Sequence, residues 1–162
     1  MSVQTMNQLV GDISYDLISE IAPQERPLFR AVSQTYFKDP KRAVAPKNAS
    51  DDMLGFGVGE VVVLLTPYLL STTTEVIKFL TEEVKKAVNE ESAGLIGEKV
   101  KSLFKKYRHP DETKNKIPPL SAAQLAQVQG IAMKEARRLR LSEKNTKLLA
   151  NAIVGSLAIA GK

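Results

Sequence analysis

The sequence offers few side chains that could do covalent or metal chemistry. Its 162 residues include no cysteine and one histidine, His109. The lack of thiols excludes disulfides, thiol catalysis, zinc–thiolate sites and iron–sulfur clusters. A serine or threonine nucleophile would need a base such as His109, held by a third group, and no such set lies near it in sequence. The stretch HPDE at 109–112 lacks the i, i+3 or i, i+4 spacing that places two metal ligands on one helix face.

Carboxylates and glycines give equally weak signals for catalysis. Adjacent acidic pairs, such as Glu82 and Glu83, have side chains that point about 100° apart on a helix and do not form an acid–base dyad. Three alternating glycines occupy positions 55, 57 and 59, without the lysine and hydroxyl residue of a phosphate-binding loop. We therefore expect no enzymatic activity, no metal, no cofactor and no small-molecule substrate.

The distribution of charge says more about partners. The net charge is +5, but residues 1–60 carry −2, and residues 99–147 carry +9. Clustered cations attract acidic protein, phosphate or anionic lipid. The cations near the last predicted turn form the first candidate partner-binding set, here named the basic shoulder: Lys134, Arg137, Arg138, Arg140, Lys144 and Lys147. Reversing Arg137 and Arg138 to glutamate is expected to weaken partner binding.

Amphipathic helices are the elements that must position these cations. Apolar residues recur every three or four positions from Met6 to Ile21, which predicts a helix beginning at a capping box of Thr5 and Gln8 and ending before Pro23. A second helix is predicted from about Pro27, burying Leu28 or Phe29 together with Val32 and Tyr36. The two helices form a predicted hairpin over residues 1–38.

The middle of the chain contains its longest apolar run. Residues 61–65 are β-branched enough for a strand, but no second run of this kind could pair with it, so we interpret 53–70 as a buried helix, kinked or restarted near Pro67. Thr72 and Glu75 predict a further helix start, with Glu82 and Lys86 pairing on its outer face. Between Asp52 and Glu75 the only charge is Glu60, which leaves membrane contact open as an alternative. The candidate membrane-contacting residues are Val61, Val62, Val63, Leu64, Leu65, Leu69 and Leu70.

The end of the chain predicts a pair of helices. Ser121 and Gln124 have capping-box spacing, and Leu125, Val128 and Ala132 share the inward face that follows. A tight turn at Leu141 and Ser142 leads into the last helix. That helix carries small residues at i, i+4, which allow close helix packing and complete the candidate partner-binding set: Ala152 and Ser156.

Together these patterns predict an all-α helical bundle of about six or seven helices and no sheet. We divide the chain into a hairpin (1–38), a linker (39–52), a central helical region with the apolar helix (53–108), a second linker (109–119) and a helix pair (120–162). The first residues lack a basic stretch followed by an apolar run, so a cytoplasmic location is expected, with peripheral membrane association left open.

Three functional hypotheses follow. The first is a non-enzymatic interaction or assembly protein that binds a protein partner, or itself, through helix faces and the basic shoulder. The alternative is a membrane-active effector or anchor that uses residues 53–80 and anionic lipid. The third is nucleic-acid binding, which would be non-specific because the last helix offers few polar side chains to base edges.

Overall fold

The computed structural model describes residues 2–43, 64–88, 95–108 and 118–157. Within these ranges the protein is an all-α bundle without strand or sheet, which confirms the predicted fold class. Two short 3₁₀ turns, Pro23–Glu25 and Lys105–Tyr107, lie between helices. The α-helices of the described residues are, in chain order, α1 (Val3–Ile21), α2 (Arg26–Lys38), α3 (Pro40–Ala43), α4 (Thr66–Ala87), α5 (Ile96–Ser102), α6 (Ala122–Arg138) and α7 (Glu143–Ser156).

Helices α1 and α2 form the predicted pair, but α1 starts earlier than expected. Its N-cap is Ser2, whose hydroxyl accepts a hydrogen bond from the Thr5 backbone N–H at 3.1 Å, so the predicted capping box of Thr5 and Gln8 is wrong. A serine three residues upstream satisfies the same free amide and lengthens the helix. Helix α2 buries Phe29, Val32 and Tyr36, as its spacing predicts.

The central helix α4 is continuous over 22 residues. It begins at Thr66, next to Pro67, as expected of a proline that needs no hydrogen-bonded amide in the first turn. The predicted restart at Thr72 is wrong, since the Thr72 hydroxyl donates 2.7 Å to the Tyr68 carbonyl within the helix. A threonine that bonds back to i−4 loses its capping role and stays in the helix.

The start of α4 is fixed by a residue from the first helix pair. The Glu25 carboxylate, 4% exposed, accepts hydrogen bonds from the Leu65 and Thr66 backbone N–H groups, both at 2.9 Å, and from the Thr66 hydroxyl at 2.8 Å. These amides lack helical partners, and a carboxylate at a helix N-terminus also complements the helix dipole. Glu25 therefore serves as a cap for α4 from a different part of the chain.

The core is almost wholly aliphatic and surrounds α4. Helix α4 packs against α1, α2, α5 and α6, and touches α7. Its own buried side chains include Leu69, Leu70 and Leu80, none of which is exposed at all. Helix α4 occupies the central position predicted for the apolar helix, but it contains only 66–70 of the predicted 53–70. Leu64 and Leu65 precede the helix, and 53–63 lie outside the described residues.

The first helix of the last pair follows its predicted pattern. Ser121 and Gln124 form the capping box, with the Gln124 N–H donating 3.1 Å to the Ser121 hydroxyl and the Ser121 N–H donating 2.9 Å to the Gln124 side chain. Helix α6 buries Leu125, Val128 and Ala132 against the bundle.

Some predictions concern residues outside the described ranges. The predicted linker 39–52 begins with the short helix α3, and its remainder lies outside the described residues, as do 53–63 of the apolar segment, 109–117 of the second linker and His109. The division of the chain into separate units stays a prediction.

Candidate functional site

The basic shoulder lies on the surface around the turn between α6 and α7. Three of its cations are on α6, one is in the turn, and two are on α7. All six are exposed: Lys134, Arg137, Arg138, Arg140, Lys144 and Lys147. The helices beneath them bury Ala132, Ala136 and Leu149 completely, so the cations stand on a packed support.

The turn that carries the shoulder has a defined geometry. Arg140 adopts a left-handed conformation with φ 64°, the Arg140 N–H donates 2.9 Å to the Arg137 carbonyl, and the Leu141 N–H donates 3.1 Å to the Ala136 carbonyl. This is a Schellman motif, which is usually closed by glycine. Leu141 is buried beneath the turn, and the Ser142 hydroxyl caps α7 by accepting from the Asn145 N–H at 3.2 Å. The connection is therefore fixed at both of its ends.

Two shoulder arginines are already paired with carboxylates. Arg137 binds Glu143 across the turn with both sides of its guanidinium, Nε to Oε1 at 2.9 Å and Nη2 to Oε2 at 3.2 Å. The hydrogen bond from Arg137 lowers the pKa of Glu143, and the same contact raises the pKa of Arg137. This pair ties the end of α6 to the start of α7.

Arg138 belongs to a partly buried network that reaches the central helix. Its guanidinium binds Glu135 through two contacts of 2.7 Å, and Glu135 also accepts from the Ser71 hydroxyl of α4 at 2.7 Å. Burial raises the pKa of Glu135, but the hydrogen bonds from Arg138 and Ser71, with the charges of Arg138 and Lys78, outweigh it, and the pKa is lowered. Arg138 therefore positions α6 on α4 and is not a freely available cation.

The remaining shoulder cations have no such partner. Among the described residues, no ion pair forms at Lys134, Arg140, Lys144 or Lys147. Sequence reasoning treated all six cations alike, because the carboxylates that engage two of them are recognised only once the helices are folded. The shoulder cations without an ion pair are thus one on α6, one in the turn and two in the first two turns of α7.

The predicted small-residue ridge of α7 is only partly at the surface. Ala152 and Ser156 are half-buried, and the Ser156 hydroxyl donates 2.6 Å to the Ile153 carbonyl of its own helix. The outward face of α7 carries instead Leu148, 36% exposed, and Gly155, which has no atom within 4 Å of the position of a Cβ. Leu148, Gly155 and Lys144 share one face of α7, because they are separated by four and seven residues.

The candidate membrane-contacting residues lie inward where they are described. Leu65, Leu69 and Leu70 are buried in the core and Leu64 is half-buried, while 61–63 lie outside the described residues. Across the described ranges, none of the helices combines the length and apolar character that crossing a bilayer requires. In this conformation the described part of the apolar segment covers the other helices.

The acidic pair on α4 makes salt bridges, not a dyad. Lys85 pairs with Glu82 at 3.5 Å and Lys86 with Glu83 at 3.1 Å, so the predicted pair of Glu82 with Lys86 is wrong by one position. The hydrogen bond from Gln124, followed by that from Lys86, lowers the pKa of Glu83. Both i, i+3 and i, i+4 neighbours face each other on a helix, and here the closer ones pair.

A second cluster of charged groups, which sequence reasoning missed, joins α1 to the 3₁₀ turn after α5. Asp16 accepts from the Lys106 ammonium at 2.6 Å and from the Tyr107 hydroxyl at 2.5 Å. Burial, and then the hydrogen bond to Asp16, raise the pKa of Tyr107. Lys101 pairs with Asp12 at 3.3 Å and lies 4.4 Å from the Tyr107 ring centre. Each group has a partner within the cluster, so we interpret it as a structural clamp.

Neither metal ligation nor a known relative points to a different site. Over the described residues, no group of three or more His, Asp or Glu side chains is placed to hold a metal ion. No family model, curated protein or solved structure matches this chain.

Proposed function

We propose that this chain is a non-enzymatic helical protein that binds a macromolecular partner, or a second copy of itself, through the basic shoulder. The observation that carries the proposal is the group of four exposed cations, Lys134, Arg140, Lys144 and Lys147, that form no ion pair with any other described residue. These four cations are clustered around one connection. Most of the described carboxylates already pair with other cations of the chain.

The rigidity of the support favours binding. Arg137 with Glu143 joins α6 to α7, Glu135 with Arg138 and Ser71 joins α6 to α4, and the Schellman motif holds the turn. A surface that is ordered before binding loses less conformational entropy when the partner arrives. The mechanism is helix-face contact guided by charge, in which clustered cations speed association and make it sensitive to salt.

Each exposed cation is expected to contribute only a small free energy of binding. An exposed ion pair contributes about 0 to 1 kcal/mol, so no single lysine dominates the affinity. The four unpaired cations together set the attraction and its salt dependence. A double substitution is therefore the smallest change that tests the surface.

The test compares the wild-type chain with Lys144→Glu/Lys147→Glu. The matched control is Lys41→Glu/Arg42→Glu, which changes the net charge equally at two exposed cations on α3. Sedimentation velocity is measured for each chain alone and with poly-L-glutamate or a 24-base-pair DNA duplex, and flotation is measured with phosphatidylserine-containing vesicles.

The expected result is that the shoulder variant loses self-association or probe binding, whereas the wild type and the control retain it. The proposal fails if the variant binds as the wild type does, or if the wild type neither self-associates nor binds any probe. Flotation that depends on residues outside the shoulder would instead support the membrane-active alternative.

A further inference from the structure

The chemistry of the shoulder favours one class of partner. Lys144 lies one helical turn before both Lys147 and Leu148 on α7, so two cations and an aliphatic side chain share one patch. Leu148 is among the few large apolar side chains of the described residues that are at least 36% exposed. A leucine beside lysines adds nothing to phosphate binding, but it can pack against an aliphatic side chain of a protein.

Two features of the patch disfavour a nucleic acid. A DNA duplex presents one negative charge per about 1.7 Å of its axis, so a long run of contacts needs cations along the whole face. After Lys147 the described part of α7 has no charged residue. Glu135 and Glu143 also already bind two of the six shoulder cations, Arg138 and Arg137, which shortens the row of cations available to phosphates.

Three N–H groups at the turn are likewise not available to phosphate. The N–H groups of Arg140 and Leu141 are bound to carbonyls of α6, and the Asn145 N–H is bound to the Ser142 side chain. Phosphate sites at turns and helix starts use such N–H groups. The patch instead consists of separated side-chain cations around a small apolar surface.

Resting on the proposed function, we propose that the partner of the shoulder is an acidic protein segment in which an aliphatic side chain is flanked by carboxylates. The aliphatic side chain packs on Leu148. The carboxylates pair with Lys144 and Lys147, and a further one binds the guanidinium of Arg140, which has no carboxylate partner among the described residues.

The test uses two fluorescein-labelled pentapeptides and the full chain. Both peptides have two glutamates on each side of the central residue, which is leucine in one and serine in the other. Anisotropy titrations compare the wild type with Leu148→Ser, with Lys144→Glu/Lys147→Glu and with the control Lys41→Glu/Arg42→Glu. Because Leu148 lies at the surface, Leu148→Ser is expected to keep the fold, which its thermal unfolding midpoint verifies.

We expect the wild type and the control to bind the leucine peptide about fivefold or more tightly than the serine peptide, from partial burial of one aliphatic pair. Leu148→Ser should remove that preference, and the charge-reversed variant should lose both peptides. Equal binding of the two peptides, or no binding of either, overturns the inference. A DNA duplex that binds more tightly than the leucine peptide at about 0.15 M salt overturns it in favour of nucleic acid.

These outcomes are separable from failure of the proposed function. Suppose that the wild type and the control bind the two peptides alike, or bind the duplex, and that the charge-reversed variant does not. The shoulder is then the binding surface, and only the partner class is wrong. If charge reversal changes no interaction of the chain, the shoulder itself is not the contact.

Discussion

The carboxylate of Glu25 binds Thr66, 41 positions later in the chain, through both its backbone N–H and its hydroxyl. This contact decides where the central helix begins. It also explains how the first helix pair is attached to the rest of the bundle, because a buried carboxylate without its donors would be strongly unfavourable.

Replacing Glu25 with alanine should therefore destabilise the protein by about 2–4 kcal/mol, since two buried amides and a hydroxyl lose their acceptor. Urea unfolding followed by circular dichroism measures the loss. Glu20→Ala, at an exposed position of α1, is the control and should change the free energy of unfolding by no more than about 0.5 kcal/mol. Equal losses in the two variants would show that Glu25 is not the cap we describe.

The hydroxyl of Thr73, 1% exposed, has no hydrogen-bond partner among the described residues. Thr73→Val removes this buried polar atom while keeping the shape of the side chain, and should stabilise the protein by about 1 kcal/mol. Thr81→Val is the matched control, because the Thr81 hydroxyl donates 2.7 Å to the Ile77 carbonyl. Its gain should be smaller, and a larger gain at Thr81 than at Thr73 in thermal unfolding contradicts the prediction.

Because the pKa of Glu135 is lowered, we expect the free energy of unfolding to depend on pH through this residue. A carboxyl whose folded-state pKa lies below its ordinary unfolded value of 4.5 stabilises the fold above that value and loses this contribution as the pH falls through the folded pKa. The wild type should therefore lose stability more steeply than Glu135→Gln as the pH drops below about 4.5.

The measurement is the free energy of unfolding in urea at several pH values between about 6 and about 3. Glu83 and Glu143 also have lowered pKa values, but they titrate in both chains and cancel in the comparison. Parallel pH profiles for the wild type and Glu135→Gln would mean that Glu135 is not held in its charged form by Arg138 and Ser71.

Arg140 has a positive φ that glycine adopts without strain. Arg140→Gly should stabilise the fold by about 1 kcal/mol, whereas Arg140→Ala, which keeps the Cβ, should not. Both variants lose the guanidinium and should bind an acidic probe more weakly by a similar factor. If Arg140→Gly is no more stable than Arg140→Ala, the positive φ of Arg140 does not strain the backbone. Keeping a cation in the turn then costs no stability.

The periodicity of the sequence was sufficient to predict most of the helices and much of the core, but not α3, which lies in the predicted linker 39–52. Helix α6 begins at its predicted capping box of Ser121 and Gln124, and α2 buries the predicted residues, because both patterns depend on neighbours within one helix. The start of α4 was located by Pro67, but its cap was not, since Glu25 is distant in sequence. Thr72 shows the converse case, in which a capping residue type lies inside a helix and bonds to i−4.

The sequence predicted where the cations of the candidate site lie, but not which of them pair with carboxylates. The cations from Lys134 to Lys147 are all exposed around the predicted turn. Their division into paired and unpaired members depends on Glu135 and Glu143, whose orientation follows from the packing of α6 and α7. The exposure of Leu148 depends on which side of α7 faces the core, and the sequence alone did not distinguish it from its neighbour Leu149, which is fully buried.

The most direct test of the basic shoulder is a residue-resolved map of binding on the intact chain. Poly-L-glutamate is titrated into the ¹⁵N-labelled protein, and amide chemical shifts are followed by NMR. Shifts are expected at Arg140, Lys144, Lys147 and Leu148, and should be absent in Lys144→Glu/Lys147→Glu. Shifts centred elsewhere, or unchanged in that variant, would contradict the assignment of this surface as the site of interaction.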